Sequence, residues 1–178
     1  MKTNETKKWT FKELWNRFPE VIRIAMRNSM QDPVWHKEGN CEIHTEQVFN
    51  YANIHFSGDN ELLLCALFHD LGKPETQTIR ARDKNFKGDP LTLPWKEQKI
   101  SNLYHELKCD RHIDKYFHLF SDVSTNNQKV SEICKNHLRA HLYSNGTMKR
   151  PFKRQTFENL KYFKELLQFE ECDTNGKY

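Results

Sequence analysis

The segment from Leu62 to Gly72, LLLCALFHDLG, places a histidine and an aspartate directly after an uninterrupted run of apolar residues. Because this run has no polar face, it predicts a helix enclosed in the core, with Gly72 as the C′ residue that follows the helix and Pro74 just beyond. An unpaired carboxylate buried there would cost several kcal/mol, on the order of what a whole domain can spare. Asp70 therefore needs a cationic partner.

Two kinds of partner would satisfy Asp70. A divalent metal ion is favoured because imidazole and carboxylate both suit first-row divalent ions, and the negative end of the helix dipole adds a small favourable contribution. In the alternative, Asp70 pairs with Lys73 or Arg80 and His69 donates a hydrogen bond to a backbone carbonyl. The metal interpretation is the one that we carry forward.

The chain of 178 residues is long enough to bury a core without disulfides or a structural metal, and it contains no internal repeat. Its periodicity predicts an all-α fold in a single domain, residues 1–178. Residues 73–94 are polar, carry three prolines and show little periodicity, which predicts a long irregular segment. Helices are expected around residues 11–18, 21–25, 42–55, 62–70, 95–107, 113–120, 129–141 and 157–169.

The five cysteines are scattered singly, without a CxxC pair, so the sequence indicates neither a zinc ribbon nor a disulfide framework. The N-terminus MKTNETKKW lacks an apolar signal core, and the longest hydrophobic run is too short to span a bilayer. A soluble cytoplasmic protein with reduced thiols is therefore expected. The net charge of +4 is compatible with phosphate-bearing partners but is common among soluble proteins.

Further metal ligands must come from other helices, because two side chains cannot complete a coordination sphere. His44 precedes inward-facing apolar residues, Asp173 ends the last predicted helix, and His137 lies on an apolar helix face. A lone histidine on an apolar face is more often a satisfied core residue than a ligand. We therefore interpret the remaining histidines as satisfied core residues: His55, His105, His112, His118 and His141.

The order His44, His69–Asp70, Asp173 resembles the HD-domain superfamily of metal-dependent phosphohydrolases. The likeness is greatest to the HD domain attached to bacterial CCA-adding tRNA nucleotidyltransferases. No nucleotidyltransferase head is present in this sequence, so tRNA tailing is not expected of it. The segments that carry the resemblance are QDPVWHKEGNCEIHTEQV (31–48), HDLGKPETQT (69–78), ICKNHLRAH (133–141) and LLQFEECDTNGK (166–177).

The resemblance implies a compact HD fold of about six to eight helices with a metal site in the bundle. It implies one divalent transition metal (Mn, Co, Ni, Fe or Zn, with Mg also open) on His44, His69, Asp70 and Asp173. His137 is then a fifth ligand, a ligand of a second metal or a phosphate contact. The family usually has a GHE-type histidine after the loop, but here the region reads FKGDPLTLPWKEQ, with Asp89 or Trp95 in its place. One ion is therefore expected and a second is left open.

Three residues are candidates for catalysis. Asp70 can both ligate the metal and orient a water molecule, whose pKa a divalent ion lowers towards 7. Lys73 is placed to contact a phosphate or the leaving oxygen, or is simply a charge at the helix C-terminus. His36 is a candidate phosphate contact or general acid, or else a hydrogen bond that anchors the loop.

The tract MKRPFKRQ (148–155) combines four basic residues with a proline and a phenylalanine. Such a cluster could grip a nucleotide or an RNA backbone, with Phe152 stacking on a base. Arg150 and Arg154 are the candidate substrate contacts. A solvated basic turn explains the tract equally well.

We therefore expect a metal-dependent phosphohydrolase that acts on a nucleotide or RNA-end phosphate, including 2′,3′-cyclic phosphate. The alternatives are a 5′-nucleotidase or deoxynucleoside triphosphohydrolase, and a nucleotide- or RNA-binding module that keeps the fold and the metal without turnover. No membrane partner and no recognition of DNA sequence are expected. Homodimerisation, which is frequent among HD proteins, stays open.

Overall fold

The structure is a computed structural model that describes residues 8–177. The predicted absence of a signal core concerns residues 1–7, which lie outside this range. Within the range, the helices and the strands of its two-stranded sheet are α1 (Phe11–Trp15), α2 (Glu20–Asn28), α3 (Cys41–His55), α4 (Asn60–Phe68), α5 (Lys73–Thr76), β1 (Gln77–Ala81), β2 (Gln98–Asn102), α6 (His105–Tyr116), α7 (Asn127–Ser144), α8 (Pro151–Glu158) and α9 (Phe163–Asn175).

The mainly helical class predicted from the sequence is confirmed, with eight helices of five or more residues in the described range. Its buried apolar residues, apart from Ile100 on β2, form one cluster that runs from Trp9 to Cys172. All five cysteines are buried and free. Among residues 8–177, every helix is too short or too polar to cross a bilayer.

Helix α4 lies at the centre of the bundle, in contact with α3, α6, α7 and α9. Asp59 caps its start by accepting a hydrogen bond from the Leu62 backbone N–H at 3.0 Å. Every residue from Leu62 to Phe68 is buried, as the run without a polar face predicted. Since each buried Leu or Phe side chain stabilises the fold by about 1.5–3 kcal/mol, the packing fixes the end of α4, where His69 and Asp70 follow.

The predicted role of Gly72 is wrong. Its φ of −80° is right-handed, and it precedes α5 instead of closing α4. A side chain is excluded for another reason: a Cβ atom at this position would lie 2.2 Å from the carbonyl oxygen of His105 and 2.7 Å from Cβ of Lys108. Glycine is therefore required here by the close approach of α6, which brings His105 next to the end of α4.

The segment predicted as irregular contains a helix and a strand, α5 and β1. Strand β1 pairs antiparallel with β2 in a register that sets Ile79 opposite Ile100. The predicted helix over residues 95–107 is wrong, because 95–97 form a single 3₁₀ turn, 98–102 are β2, and α6 starts only at His105. The predicted helix over 157–169 is also wrong, since α8 ends at Glu158 and α9 begins at Phe163.

Asp32 attaches the hairpin to the segment before α3. Its carboxylate accepts hydrogen bonds from the backbone N–H of Ile100 at 3.0 Å and from the Arg82 guanidinium at 2.5 Å. Burial alone would raise the pKa of Asp32, but the N–H groups of Val34 and Ile100 and the Arg82 charge lower it below its usual value. The end of β2, from which α6 starts, is thus fixed against residues 31–36.

Gly72→Ala should destabilise the protein by about 1–3 kcal/mol, because the backbone of α6 must move to admit the methyl group. Urea unfolding of the two proteins measures the difference. Gly88→Ala is the matched control, since there the added Cβ meets only the end of the Phe86 ring, which can rotate away. Equal stability of the Gly72 variant and the wild type would contradict the assigned role of Gly72.

Candidate metal centre

The structure brings the four predicted metal ligands together at the centre of the bundle. Nε2 of His44, on α3, lies 3.4 Å from Nε2 of His69 and 3.6 Å from Oδ2 of Asp70. Oδ1 of Asp173, on α9, lies 3.0 Å from Nε2 of His44 and 3.9 Å from Nε2 of His69. All four side chains are buried. Three separate helical segments therefore deliver one set of imidazole and carboxylate donors.

A second group of donors lies on the other side of Asp70. Nε2 of His105 is 3.2 Å from Oδ1 of Asp70 and 3.2 Å from Nε2 of His137, on α7. Asp70, His105 and His137 are all buried and could hold an ion, as could His44, His69 and Asp70. Because Asp70 belongs to both groups, its carboxylate could bridge two ions. Of the three roles predicted for His137, this geometry favours that of second-metal ligand.

Sequence reasoning missed His105, which we had assigned to the core. Neither Asp89 nor Trp95 takes the place of the family's GHE-type histidine. Asp89 caps a 3₁₀ turn, and the Trp95 indole donates a hydrogen bond to the carbonyl of Gln31 at 2.7 Å. The available signal was the His105–Glu106 pair after the loop. The pair does not match a GHE-type motif, because Tyr104 stands where that motif has glycine. Tyr104 has a φ of 62°, a left-handed conformation that glycine adopts more easily.

The four histidines present the same ring atom to the centre. Nδ1 lies 2.9 Å from the Ala66 carbonyl in His69, 2.7 Å from the Asn102 carbonyl in His105, and 2.6 Å from the Cys134 carbonyl in His137. A carbonyl can only accept, so Nδ1 carries the proton in each ring. In His44, Nδ1 lies 3.0 Å from the Glu38 carboxylate. Each Nε2 is thereby directed inward, and it is the ring atom that can bind a metal when the ring is neutral.

The Nε2 atoms face one another in pairs, and when both rings of a pair are neutral their lone pairs repel unless a cation lies between them. The Nε2–Nε2 distances of 3.4 Å for His44 and His69 and 3.2 Å for His105 and His137 suit neighbouring ligands of one ion. Tetrahedral ligands at roughly 2.0–2.1 Å from a metal are separated by about 3.3 Å. The arrangement therefore fits a divalent metal ion in each group.

The charges around Asp70 keep it ionised. Burial alone would raise its pKa, but the neighbouring His69 and Lys73 and hydrogen bonding from His105 hold the pKa well below its usual value. Nζ of Lys73 lies 2.6 Å from Oδ2 of Asp70, so the alternative pairing anticipated from the sequence is also present. This pair accounts for one oxygen of Asp70, whereas the other, Oδ1, lies 3.2 Å from Nε2 of His105.

Lys73 is buried and lines the cavity beside the metal centre, where its amine also donates to the Gln31 side chain. Burial would lower the pKa of Lys73, but the charge of Asp70 raises it above its usual value. The amine is therefore a fixed positive charge at the floor of the cavity, as the predicted phosphate contact requires.

His36 acts through Glu38. Nδ1 of His36 lies 2.8 Å from the same Glu38 oxygen that faces His44, so Glu38 holds both rings. Burial lowers the pKa of His36 to about 4, although the hydrogen bond to Glu38 opposes this shift. The neutral ring is poorly suited to the predicted role of general acid, whereas its anchoring hydrogen bond is present.

His141 supports Asp173, a contact that the sequence did not indicate. Its Nε2 lies 2.6 Å from Oδ2 of Asp173 and its Nδ1 lies 3.2 Å from the Glu170 carboxylate. Burial would lower the pKa of His141, but these two carboxylates raise it to about 9. The protonated ring therefore orients Asp173, whose other oxygen faces His44.

A cavity of about 520 Å³ opens onto the metal centre. Its lining includes Asp70, His105, His137 and Asp173, so the donors are accessible to a small ligand. Trp35 and Tyr104 also line it and are 73% and 68% exposed, which leaves both aromatic faces available at the rim. The rim could hold a planar group while the floor holds a charged one.

The two arginines predicted as substrate contacts do not line this cavity. Arg150 lines a separate cavity near the start of α8. Arg154 lies 3.6 Å from the Glu158 carboxylate and over the ring of Tyr143.

No family model matches this chain.

Asp70→Ala should remove metal from both donor groups, because both depend on this carboxylate. His137→Ala should remove only the ion held with His105 and so halve the metal content. Elemental analysis of protein purified without chelators measures both. Asp114→Ala, an exposed aspartate on α6, is the matched control and should retain the wild-type content. Full metal content in the Asp70 variant would contradict the assignment.

Proposed function

We propose that this protein is an HD-type metal-dependent phosphohydrolase that acts on nucleotide or RNA-end phosphate esters, of the 2′,3′-cyclic phosphodiesterase or phosphatase type. The observation that carries the proposal is the convergence of four inward Nε2 atoms and two ionised carboxylates at the floor of an open cavity. The order of these residues along the chain is that of the HD superfamily, to which the sequence motifs bear a resemblance.

Each group of residues has a separate role in such a reaction. Divalent ions in the two donor groups would lower the pKa of water and neutralise phosphoryl oxygens. Asp70 lies between the two groups and can orient a water molecule towards a phosphorus atom. Lys73 adds a fixed positive charge beside Asp70, while Glu38 and His141 hold His44 and Asp173 in position.

The aromatic rim supports a nucleotide as substrate. In complexes with single-stranded nucleic acid, stacking on an aromatic side chain stabilises each base by about 1–3 kcal/mol, whichever base it is. Trp35 and Tyr104 offer such a surface. Tyr104 keeps its exposed ring although its left-handed backbone costs roughly 1–2 kcal/mol. Strain of this kind is concentrated at functional sites, because selection for folding alone would remove it.

The charge of the cavity supports a phosphate ester of low charge. Among the described residues that line it, the basic side chains apart from histidines are Lys73, which is paired with Asp70, and Lys177. A cyclic phosphodiester has one negative charge, which divalent ions in the donor groups would neutralise, whereas a triphosphate has about four and extends beyond these ions to a part of the cavity with few other cations. This balance favours the cyclic phosphate over a deoxynucleoside triphosphate.

The test is incubation of metal-replete protein with 2′,3′-cyclic nucleotides, 5′-monophosphates and deoxynucleoside triphosphates. We expect turnover of the cyclic substrates and loss of that turnover in Asp70→Ala. Hydrolysis restricted to monophosphates or triphosphates would instead favour the nucleotidase or triphosphohydrolase. Inertness towards all three with metal bound would favour the silent binding module.

Trp35→Ala and Tyr104→Gly should each raise the KM for a 2′,3′-cyclic nucleotide about tenfold with little change in kcat, because each removes a stacking surface but no reacting group. Tyr104→Gly should not reduce thermal stability, since glycine adopts φ 62° without steric cost. Steady-state kinetics and thermal unfolding measure these effects. Tyr104→Phe is the control and should keep the wild-type KM; an equal rise there would contradict stacking.

A further inference from the structure

A second cavity, separate from the metal centre, lies between the end of α7 and the start of α8. Its volume is about 620 Å³, and we call it the basic cavity, after the four cations that line it: Arg139, Lys149, Arg150 and Lys153. No carboxylate occurs among the described residues that line it. Its charge is therefore entirely positive.

These cations have no ionic partner within residues 8–177. The Arg139 guanidinium is held in place by a hydrogen bond to Asn136 at 2.8 Å and by the ring of Phe157, but neither neutralises it. Arg154 differs, because Glu158 lies 3.6 Å from it. Clustered like charges repel one another and contribute nothing to folding, so an external anion is the partner that they suit.

Phe152 adds a surface for stacking. It lines the basic cavity between Arg150 and Lys153 and is 80% exposed. A hydrophobic side chain so exposed on a short helix contributes little to the core, whereas an aromatic face beside cations is the usual platform for bases of single-stranded nucleic acid. Phosphate groups would contact the cations while a base stacks on Phe152.

The basic cavity adjoins the metal centre across one helix. Leu138 and His141 of α7 line the cavity at the candidate metal centre, as does Asn145 just after the helix, while Arg139 and Leu142 of α7 line the basic cavity. A helix with its side chains is about 10–12 Å across, a distance that a few nucleotides can span. A single strand could therefore occupy both cavities at once.

We propose that the basic cavity binds single-stranded RNA, as the segment just upstream of a 3′-terminal phosphate that enters the metal centre. The choice of RNA rests on the proposed function, because only ribose can form a 2′,3′-cyclic phosphate. Within the proposed substrate class, the cavity thus favours RNA ends over mononucleotides.

Binding of a 5′-fluorescein-labelled 12-nucleotide RNA with a 3′-hydroxyl end tests the proposal without any dependence on hydrolysis. Fluorescence polarisation of the metal-replete protein should show affinity that falls with salt, by about 0.7 in log–log slope for each phosphate contact. Lys149→Glu/Lys153→Glu should weaken binding at least tenfold and reduce the slope. Phe152→Ala should weaken it about tenfold and leave the slope as it is.

The matched control is Lys84→Glu/Lys87→Glu, which makes the same charge change at exposed lysines outside the basic cavity. It should change the affinity less than twofold. Equal weakening by both double variants, or no weakening by either, would overturn the proposal. So would binding to phosphatidylserine vesicles in place of RNA. Circular dichroism melting checks that all variants fold.

A second measurement separates this proposal from the proposed function. The ratio of KM for a cyclic-phosphate 12-mer to KM for the cyclic mononucleotide should rise about tenfold in Lys149→Glu/Lys153→Glu. RNA binding without hydrolysis of either substrate would leave the cavity assigned and refute the hydrolase. Hydrolysis of both substrates with an unchanged KM ratio would support the hydrolase and refute the role of the basic cavity in RNA binding.

Discussion

The burial of Asp70 at the end of α4 is the constraint on which the rest of the structure depends. Seven apolar residues hold α4 between other helices, so the carboxylate that follows is almost entirely shielded from solvent. It must be compensated where it lies, and the surrounding elements bring His69, His105 and Lys73 to it. The grouping of cationic and imidazole side chains in the candidate metal centre follows from the need to compensate this buried charge.

Rigid support for the donors comes from outside the donor set. The carbonyls of Ala66, Asn102 and Cys134 fix the rings of three histidines through Nδ1. Glu38 likewise orients His44, and His141 orients Asp173. Since these contacts do not involve an ion, the centre is preorganised by the fold. Preorganisation lowers the cost of binding a metal and keeps the inward Nε2 atoms available.

Local patterns of sequence predicted the helical class and the buried α4, because periodicity is a property of neighbouring residues. The set His44, His69, Asp70 and Asp173 was implied by the family resemblance, and the structure brings these four side chains together. The β-hairpin was not predicted, since its strands are separated by a loop of 16 residues and neither has a long periodic pattern. His105 was not predicted as a donor because Tyr104, and not glycine, precedes it in the sequence.

The sequence by itself determined that a buried acid on an apolar helix requires a cation, and it named one set of residues that could hold it. Only the tertiary structure decided that Asp70 faces two groups of donors, because His105 and His137 meet it through the approach of α6 at Gly72 and through the packing of α7 on α4. It also separated Arg150 from the metal cavity. Distances between residues far apart in the chain are set by packing, which no local pattern encodes.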